Sequence, residues 1–412
     1  MKWRFNIAVF VIIIFIFLND VGLPYGLQYT ALLTPFFFLK YGLKYWKSFA
    51  LFFFISAIYL GAHLFNDEVT WFYYFRSQLL HFMVFVQVVA FYFVINYKSY
   101  AIKKAFDWSV YINLSLLIFG ILLLIIGFPQ VMFEVTHVSK SVGVLPRFRI
   151  FTVEPSYYSM LMVPLLFFYL TQPLDKTKKI DFEKIILIAV SLLISFSFGV
   201  LSLIFVSIFI VYLLRVENLL DKKKRNLILS FVVIIVVIIG GIYLFKPDNP
   251  LFIRFGDIIS GNDSSGKGRI TQPWILAMKM LSKNGDYWLG IGWGQIRIIG
   301  NDIIKSFYQY TETPQNKFGL PNVLTEITTM FGFVGLVAVL LFQIIMFKVT
   351  KVYQSYFRSL IFWFIFIYQF TGSYSSSVLF YCYWVLAFSP AFDKQLKIRM
   401  NAVSKTEKME NQ

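Results

Sequence analysis

The sequence predicts an all-α polytopic membrane protein of about twelve transmembrane helices, and three observations carry that prediction. Hydrophobic residues fill 58% of the 412 positions and charged residues 14%, where soluble globular chains carry about 45–50% and about 25%. Apolar runs recur from one end to the other. The loops between those runs alternate in basic content. A chain this poor in charge cannot cover its own surface in water, which excludes a large soluble enzyme. The lone Cys382 excludes a disulfide-built secreted scaffold. The apolar composition also excludes a disordered chain.

Crossing the hydrocarbon core takes about 20 mostly apolar residues. The runs lie near residues 5–18, 25–39, 48–64, 72–95, 108–128, 155–171, 185–198, 200–215, 227–245, 322–347, 359–371 and 376–392. The stretch 185–215 would make a helix of about 45 Å, too long for one ordinary span. Ser195-Phe196-Ser197-Phe198-Gly199 interrupts it and predicts a turn there. One long tilted helix is the alternative, and it would invert the topology downstream.

Basic loops favour the cytoplasm. With both termini cytoplasmic, the inner segments hold 25 of the 38 Lys and Arg residues, and the outer loops near 19–24, 66–70 and 372–377 hold none. The alternation holds only if 185–215 is split. Inner segments then carry a net +16 and outer segments +1. The overall +17, which taken alone suggests nucleic-acid binding, is thus an orientation signal set by the inner face of a membrane, and no nucleic-acid partner is expected. The N-terminus has a basic start and an apolar core without a small-residue cleavage site, so an uncleaved first span is expected.

The chain reads as one integral membrane domain, 1–412, with two longer outer segments at 129–154 and 246–321. Long loops are usually functional. The first contains RFRIFTVEPSYYS, residues 147–159. Arg147 and Arg149 precede Glu154-Pro155-Ser156 at the mouth of a span, and Pro155 suits the first turn of a helix. The free N–H groups of a helix start favour an anion, and guanidinium binds phosphate bidentately. Glu154 is the candidate general base, with Tyr157 beside it for substrate. An interfacial salt bridge capping the span explains the same residues equally well.

The second segment contains SSGKGRITQPW, residues 264–274. It predicts a Gly-rich approach to Arg269, an N-cap at Thr271 and Pro273 early in a helix. Trp274, Met278 and Leu281 form an apolar stripe suited to lying on the membrane. Gly261, Gly266 and Lys267 match phosphate-loop spacing, but Gly268 stands where Ser or Thr would bind magnesium, so that reading is rejected. In LGIGWGQIR, residues 289–297, Trp293 is a candidate sugar platform, while tight turn packing is the stronger reading of Gly290, Gly292 and Gly294. Arg76, near the outer end of its span, is either functional or snorkels to headgroups. His63, His81 and His137 are scattered without ligand spacing, so no metal site or cofactor is expected.

These motifs, in their order, resemble the membrane polymerases and ligases of lipid-linked bacterial polysaccharides. These are the O-antigen and capsule repeat-unit polymerases (Wzy type) and the related O-antigen ligases. The resemblance rests on the Arg-rich run ending in Glu154-Pro155-Ser156, on Gly268-Arg269 with Trp274, and on Leu289 to Gly294. It rests further on Pro321-Asn322 leading to Glu326, Gly332 and Gly335-Leu336, and on Gln369 to Ser373. It implies a GT-C-like, metal-independent glycosyltransferase acting on a glycan linked to undecaprenyl pyrophosphate, surrounded by membrane lipid, with a chain-length regulator as a candidate partner. It implies that Arg147 and Arg269 stabilise the pyrophosphate leaving group, with Arg149, Arg254, Arg297 and Arg76 in reserve and Tyr157, Trp274, Trp293 and Asn322 near substrate. In ligases a His-Asn pair opens the span after the long loop. Here the pair is Pro321-Asn322, and proline moves no proton, which favours polymerase over ligase. A lipid-linked oligosaccharide flippase is the third reading. It would predict repeated halves, discontinuous helices and mid-span charges.

Overall fold

The computed structural model describes residues 7–19, 29–64, 69–98, 100–137, 144–171, 180–215, 244, 264–284, 286–309, 319–372 and 374–392. The chain runs through α1 (Ile7–Phe17), α2 (Thr34–Tyr41), α3 (Trp46–His63), α4 (Trp71–Tyr97) and α5 (Tyr100–Ile126). A hairpin follows, β1 (Phe133–His137) and β2 (Val144–Phe148), then α6 (Pro155–Thr171), α7 (Ile180–Ile194) and α8 (Phe198–Arg215). Beyond these come α9 (Ser264–Arg269), α10 (Thr271–Asn284), α11 (Ile296–Tyr308), α12 (Val323–Val349), α13 (Tyr356–Tyr368) and α14 (Val378–Phe388). The span expected at 227–245 lies outside the described residues, apart from Leu244.

Among the described residues four helices are long and apolar enough to cross a membrane: α3, α4, α5 from Ala101, and α12. The helices 7–17, 198–214, 356–368 and 378–388 are apolar but shorter. Large apolar side chains stay exposed along these helices, among them Phe54 and Ile58 on α3, Ile118 and Ile125 on α5, and Leu341 and Ile345 on α12. Water would penalise such a band, whereas lipid would not.

A two-stranded hairpin stands beside the helices of this otherwise helical fold. Its register sets Phe133 opposite Phe148 and Glu134 opposite Arg147. Phe133 and Phe148 are buried, and the Phe148 ring packs edge-on against Tyr158 of α6, 5.0 Å between centroids. Alternation over so few residues gives a weak sequence signal, and it falls in a stretch read as loop.

α6 is the central helix. Apart from Tyr157, every residue from Pro155 to Tyr169 is buried, as in a helix surrounded on all sides. Pro164 lacks an N–H, so the carbonyl of Met160 has no intrahelical donor. The Tyr383 hydroxyl of α14 donates to that carbonyl instead. The interruption expected in 185–215 is present: α7 ends at Ile194, Phe196 has φ of 48°, and α8 starts at Phe198. Ser159 and Ser195 bond through their hydroxyls at 2.7 Å and join the break to α6.

α12 is broken at Gly332, where φ is 65° and ψ −168°. The break leaves backbone groups without helical partners, and the segment 287–292 supplies them. Ile291 and Gly292 donate to the carbonyls of Thr329 and Met330 at 2.9 and 3.0 Å. Phe333 and Val334 donate to Tyr287 and Trp288 at 2.9 and 3.2 Å. Backbone meets backbone here because neither side has a Cβ: one added to Gly290 would lie 2.5 Å from the Gly332 nitrogen. Broken helices persist at membrane depth when neighbouring protein satisfies the freed groups in this way.

The stripe assigned to the membrane surface faces protein instead. On α10, Leu276, Ala277, Met280 and Leu281 are buried against Ile296, Ile299 and Ile304 of α11 and Met330 of α12. Met278 packs at the edge of that cluster and Trp274 against the main core. The apolar face of α10 is wider than a single stripe, and α11 supplies a matching one. Segment 264–269, read as Gly-rich loop, is one and a half helical turns, and Thr271 opens α10 rather than preceding it.

Candidate functional site

Glu154 immediately precedes α6, with Pro155 in the first helical position. Ser156 Oγ donates to Glu154 Oε2 at 3.1 Å, and Arg269 Nη2 donates to the same oxygen at 3.3 Å. Their side chains are 42% and 39% exposed, so one side of the pair is open. Exposed pairs of this kind contribute about 0–1 kcal/mol to stability. The fold does not depend on this pair, which leaves its charges usable for ligand.

Arg269 ends α9 and is held from behind. Asn322 Nδ2 donates to the Arg269 carbonyl at 3.2 Å and to the carbonyl of Phe370. Asn322 Oδ1 accepts from the backbone N–H groups of Leu324 and Thr325 at 3.1 and 3.2 Å, as an N-cap does. A side-chain amide has two donors and two acceptor lone pairs, and all four are engaged. Asn322, a substrate candidate in the sequence, therefore joins α9, α12 and the α13–α14 connection, and it has no capacity left for a ligand. Asn322→Ala is expected to lower the melting temperature of the detergent-solubilised protein, by loss of a cap worth about 0.5–2 kcal/mol. An unchanged melting temperature would refute the tie.

Further groups meet at the open side. Burial raises the Tyr374 hydroxyl above its ordinary range, and the negative charges of Glu154 and Glu326 raise it further. Arg269 and a hydrogen bond with Tyr157 oppose the rise. These couplings bring together the start of α6, the end of α9, the first turn of α12 and the α13–α14 connection. Tyr374 stays a neutral donor at ordinary pH. Glu326 Oε2 accepts from the Ser375 N–H at 2.6 Å, and Arg297 of α11 acts on Glu326 electrostatically. The site thus combines two carboxylates, two guanidinium groups and two phenols, a set able to bind anionic oxygen and to take up a proton.

The remaining predicted residues lie as follows. Arg147 pairs with Glu134 across the hairpin at 3.2 Å. Arg149 donates to the carbonyls of Thr152, Val153 and Gln130, and so shapes the turn from hairpin into α6. Arg76 is half-buried in the second turn of α4, Arg297 is exposed, and Arg254 lies outside the described residues. Trp293 is buried, its ring edge-on to His81 at 4.5 Å and to Phe331 at 4.7 Å, so it is no open sugar platform. Glu326 stood in the sequence only as a motif position, although a carboxylate within an apolar run is a signal in itself. Tyr374 and Ser375 had no local signal.

Residues 185–340 match the family model described as O-antigen ligase. The match contains Arg269, Arg297, Asn322 and Glu326, while Glu154 and the hairpin precede it. No curated protein matches the chain. Residues 185–340, which carry half of the open site and Asn322 with three of its four hydrogen-bond partners, are similar to the O-antigen ligase family.

Proposed function

We propose that the protein is a polysaccharide polymerase of the bacterial cytoplasmic membrane. It transfers a glycan from undecaprenyl pyrophosphate onto another lipid-linked repeat unit on the outer side, in O-antigen or capsule assembly. The observation that supports this most is Arg269, half-open, anchored through Asn322 and facing Glu154. A fixed guanidinium suits the charge that develops on a departing pyrophosphate. In this reading the reaction is metal-independent, the chain spans the membrane about twelve times in a GT-C-like arrangement, and both termini are cytoplasmic.

A ligase acting on lipid A core is the nearest alternative, and Pro321 weighs against it. The break at Gly332 is a feature of transporters as well, which keeps the flippase as a further alternative. Segment 287–292 fills that break with backbone hydrogen bonds, as a packed site does. Deleting the gene in its native strain separates the three by the surface glycan. Single repeat units are expected. Full-length polymer left on its carrier would establish a ligase, and repeat units trapped inside would establish a flippase.

A further inference from the structure

The polymerase reading leaves the acceptor hydroxyl without an assigned base. Glu154 was the candidate, but its carboxylate is already engaged by Arg269 and Ser156. The second carboxylate of the site is differently placed. Glu326 sits in the first turn of α12, half-buried, and among the described residues no Lys or Arg forms an ion pair with it. Its Oε2 is held by the Ser375 N–H at 2.6 Å.

Ser375 is itself held in place. Its hydroxyl lies 3.0 Å from His81 Nε2, and its carbonyl accepts from the Tyr381 hydroxyl at 3.0 Å. His81 Nδ1 lies 2.8 Å from the Ser77 carbonyl. A carbonyl only accepts, so Nδ1 carries the hydrogen and Nε2 of the neutral ring accepts from the Ser375 hydroxyl. The ring cannot swing, because Trp293 stands edge-on at 4.5 Å. Trp293 is seated in the same glycine loop that completes α12, and its buried indole N–H has no acceptor among the described residues. The chain Trp293–His81–Ser375–Glu326 thus runs from the packed interior to the open side of the site.

We propose that Glu326 is the general base for the acceptor sugar hydroxyl, and that Ser375 and His81 are its positioning residues. The inference rests on the glycosyl-transfer reading. In the step, the acceptor oxygen bonds to the anomeric carbon of the donor. The bond from that carbon to the pyrophosphate oxygen breaks, and its electron pair leaves with the lipid pyrophosphate. The hydroxyl proton passes to the Glu326 carboxylate and is released to water after the product departs. Ser375 and His81 gain and lose no proton. They fix the carboxylate toward the hydroxyl, as an oriented base requires.

The test uses the full-length protein in liposomes, with lipid-linked repeat units as donor and acceptor. Glu326→Gln is expected to lower kcat by about 10²–10⁴, the usual contribution of a positioned base, with KM for acceptor nearly unchanged. Glu326→Ala is expected to regain rate with added formate, which a purely structural carboxylate would not allow. His81→Ala is expected to lower kcat about tenfold, within the range for a misplaced base, and His81→Gln, which keeps an acceptor toward Ser375, to restore most of it. Extension by Glu326→Gln at the wild-type rate overturns the base assignment. So does loss of kcat in Glu154→Gln with Glu326→Gln unaffected, or a formate-insensitive Glu326→Ala. A wild-type protein that extends nothing overturns the polymerase reading itself, and the two failures are thereby distinguished.

Discussion

Replacing Arg269 with alanine is expected to abolish chain extension while leaving the protein folded and present at normal level. The expected loss is on the order of 10²–10³ in rate, the usual cost of removing one group that stabilises developing negative charge. The structure predicts the second half of the outcome as firmly as the first. Arg269 is 39% exposed, and its partner Glu154 is 42% exposed. Screened pairs contribute about 0–1 kcal/mol to stability, so the fold does not register the loss. The backbone of Arg269, held by Asn322, is also untouched by the substitution. Glycan ladders and immunoblots of the same cells are the measurement. Wild-type chain lengths would sink the pyrophosphate clamp. Arg147→Ala is expected to act less directly, because Arg147 answers Glu134 across the hairpin and its removal is felt first by that pairing. Arg269→Lys should recover only part of the rate, since an ammonium keeps the charge and loses the bidentate fork.

Gly332→Ala is expected to fail in the opposite way, by loss of folded protein. The backbone at Gly332 has φ of 65° and ψ of −168°, a region that side chains other than hydrogen scarcely enter, at a cost of about 1–3 kcal/mol. A Cβ there would sit 2.0 Å from the Trp288 carbonyl oxygen. Forcing such an overlap costs a further ~1–3 kcal/mol. The four backbone hydrogen bonds between 287–292 and the broken helix would open with it, and Trp293 and Gly290 would lose their seats. Gly61→Ala is the control: nothing lies within 4 Å of the added Cβ, so the protein should keep or slightly raise its melting temperature. Size-exclusion profiles of the two variants after heating measure the contrast. A monodisperse, wild-type-like Gly332→Ala would show that the break is not required.

Both outcomes depend on a position that is visible in the sequence and a role that is not. Arg269 was legible because it falls in a segment expected outside, where the basic and acidic residues nearly cancel and a cation stands out. Pro155 was legible because the first helical turn tolerates a residue without an N–H. The break at 195–197 was legible because the apolar run was too long for one span. By contrast, Asn322 and Trp293 carry side chains that suit a ligand as well as they suit the protein. Only the partners they meet, 53 residues away at Arg269 for the first and at His81 for the second, decide between the two. The wide apolar face of α10 was likewise undecidable until α11 and α12 were seen to cover it.

The sequence by itself pointed to membrane-like helices, an expected direction for them and the small set of charges expected outside the inner loops. Hydropathy and charge act locally, residue by residue, and each run or loop carries its own signal. The tertiary structure alone decided which of those charges meet. Glu154, Arg269, Glu326 and Tyr374 come from four separate segments. They converge because a glycine-only break in α12, a glycine loop that fills it and one fully engaged asparagine set the distances between those segments. Such distances are fixed by packing and by backbone hydrogen bonds between residues far apart in the chain, which no local pattern records.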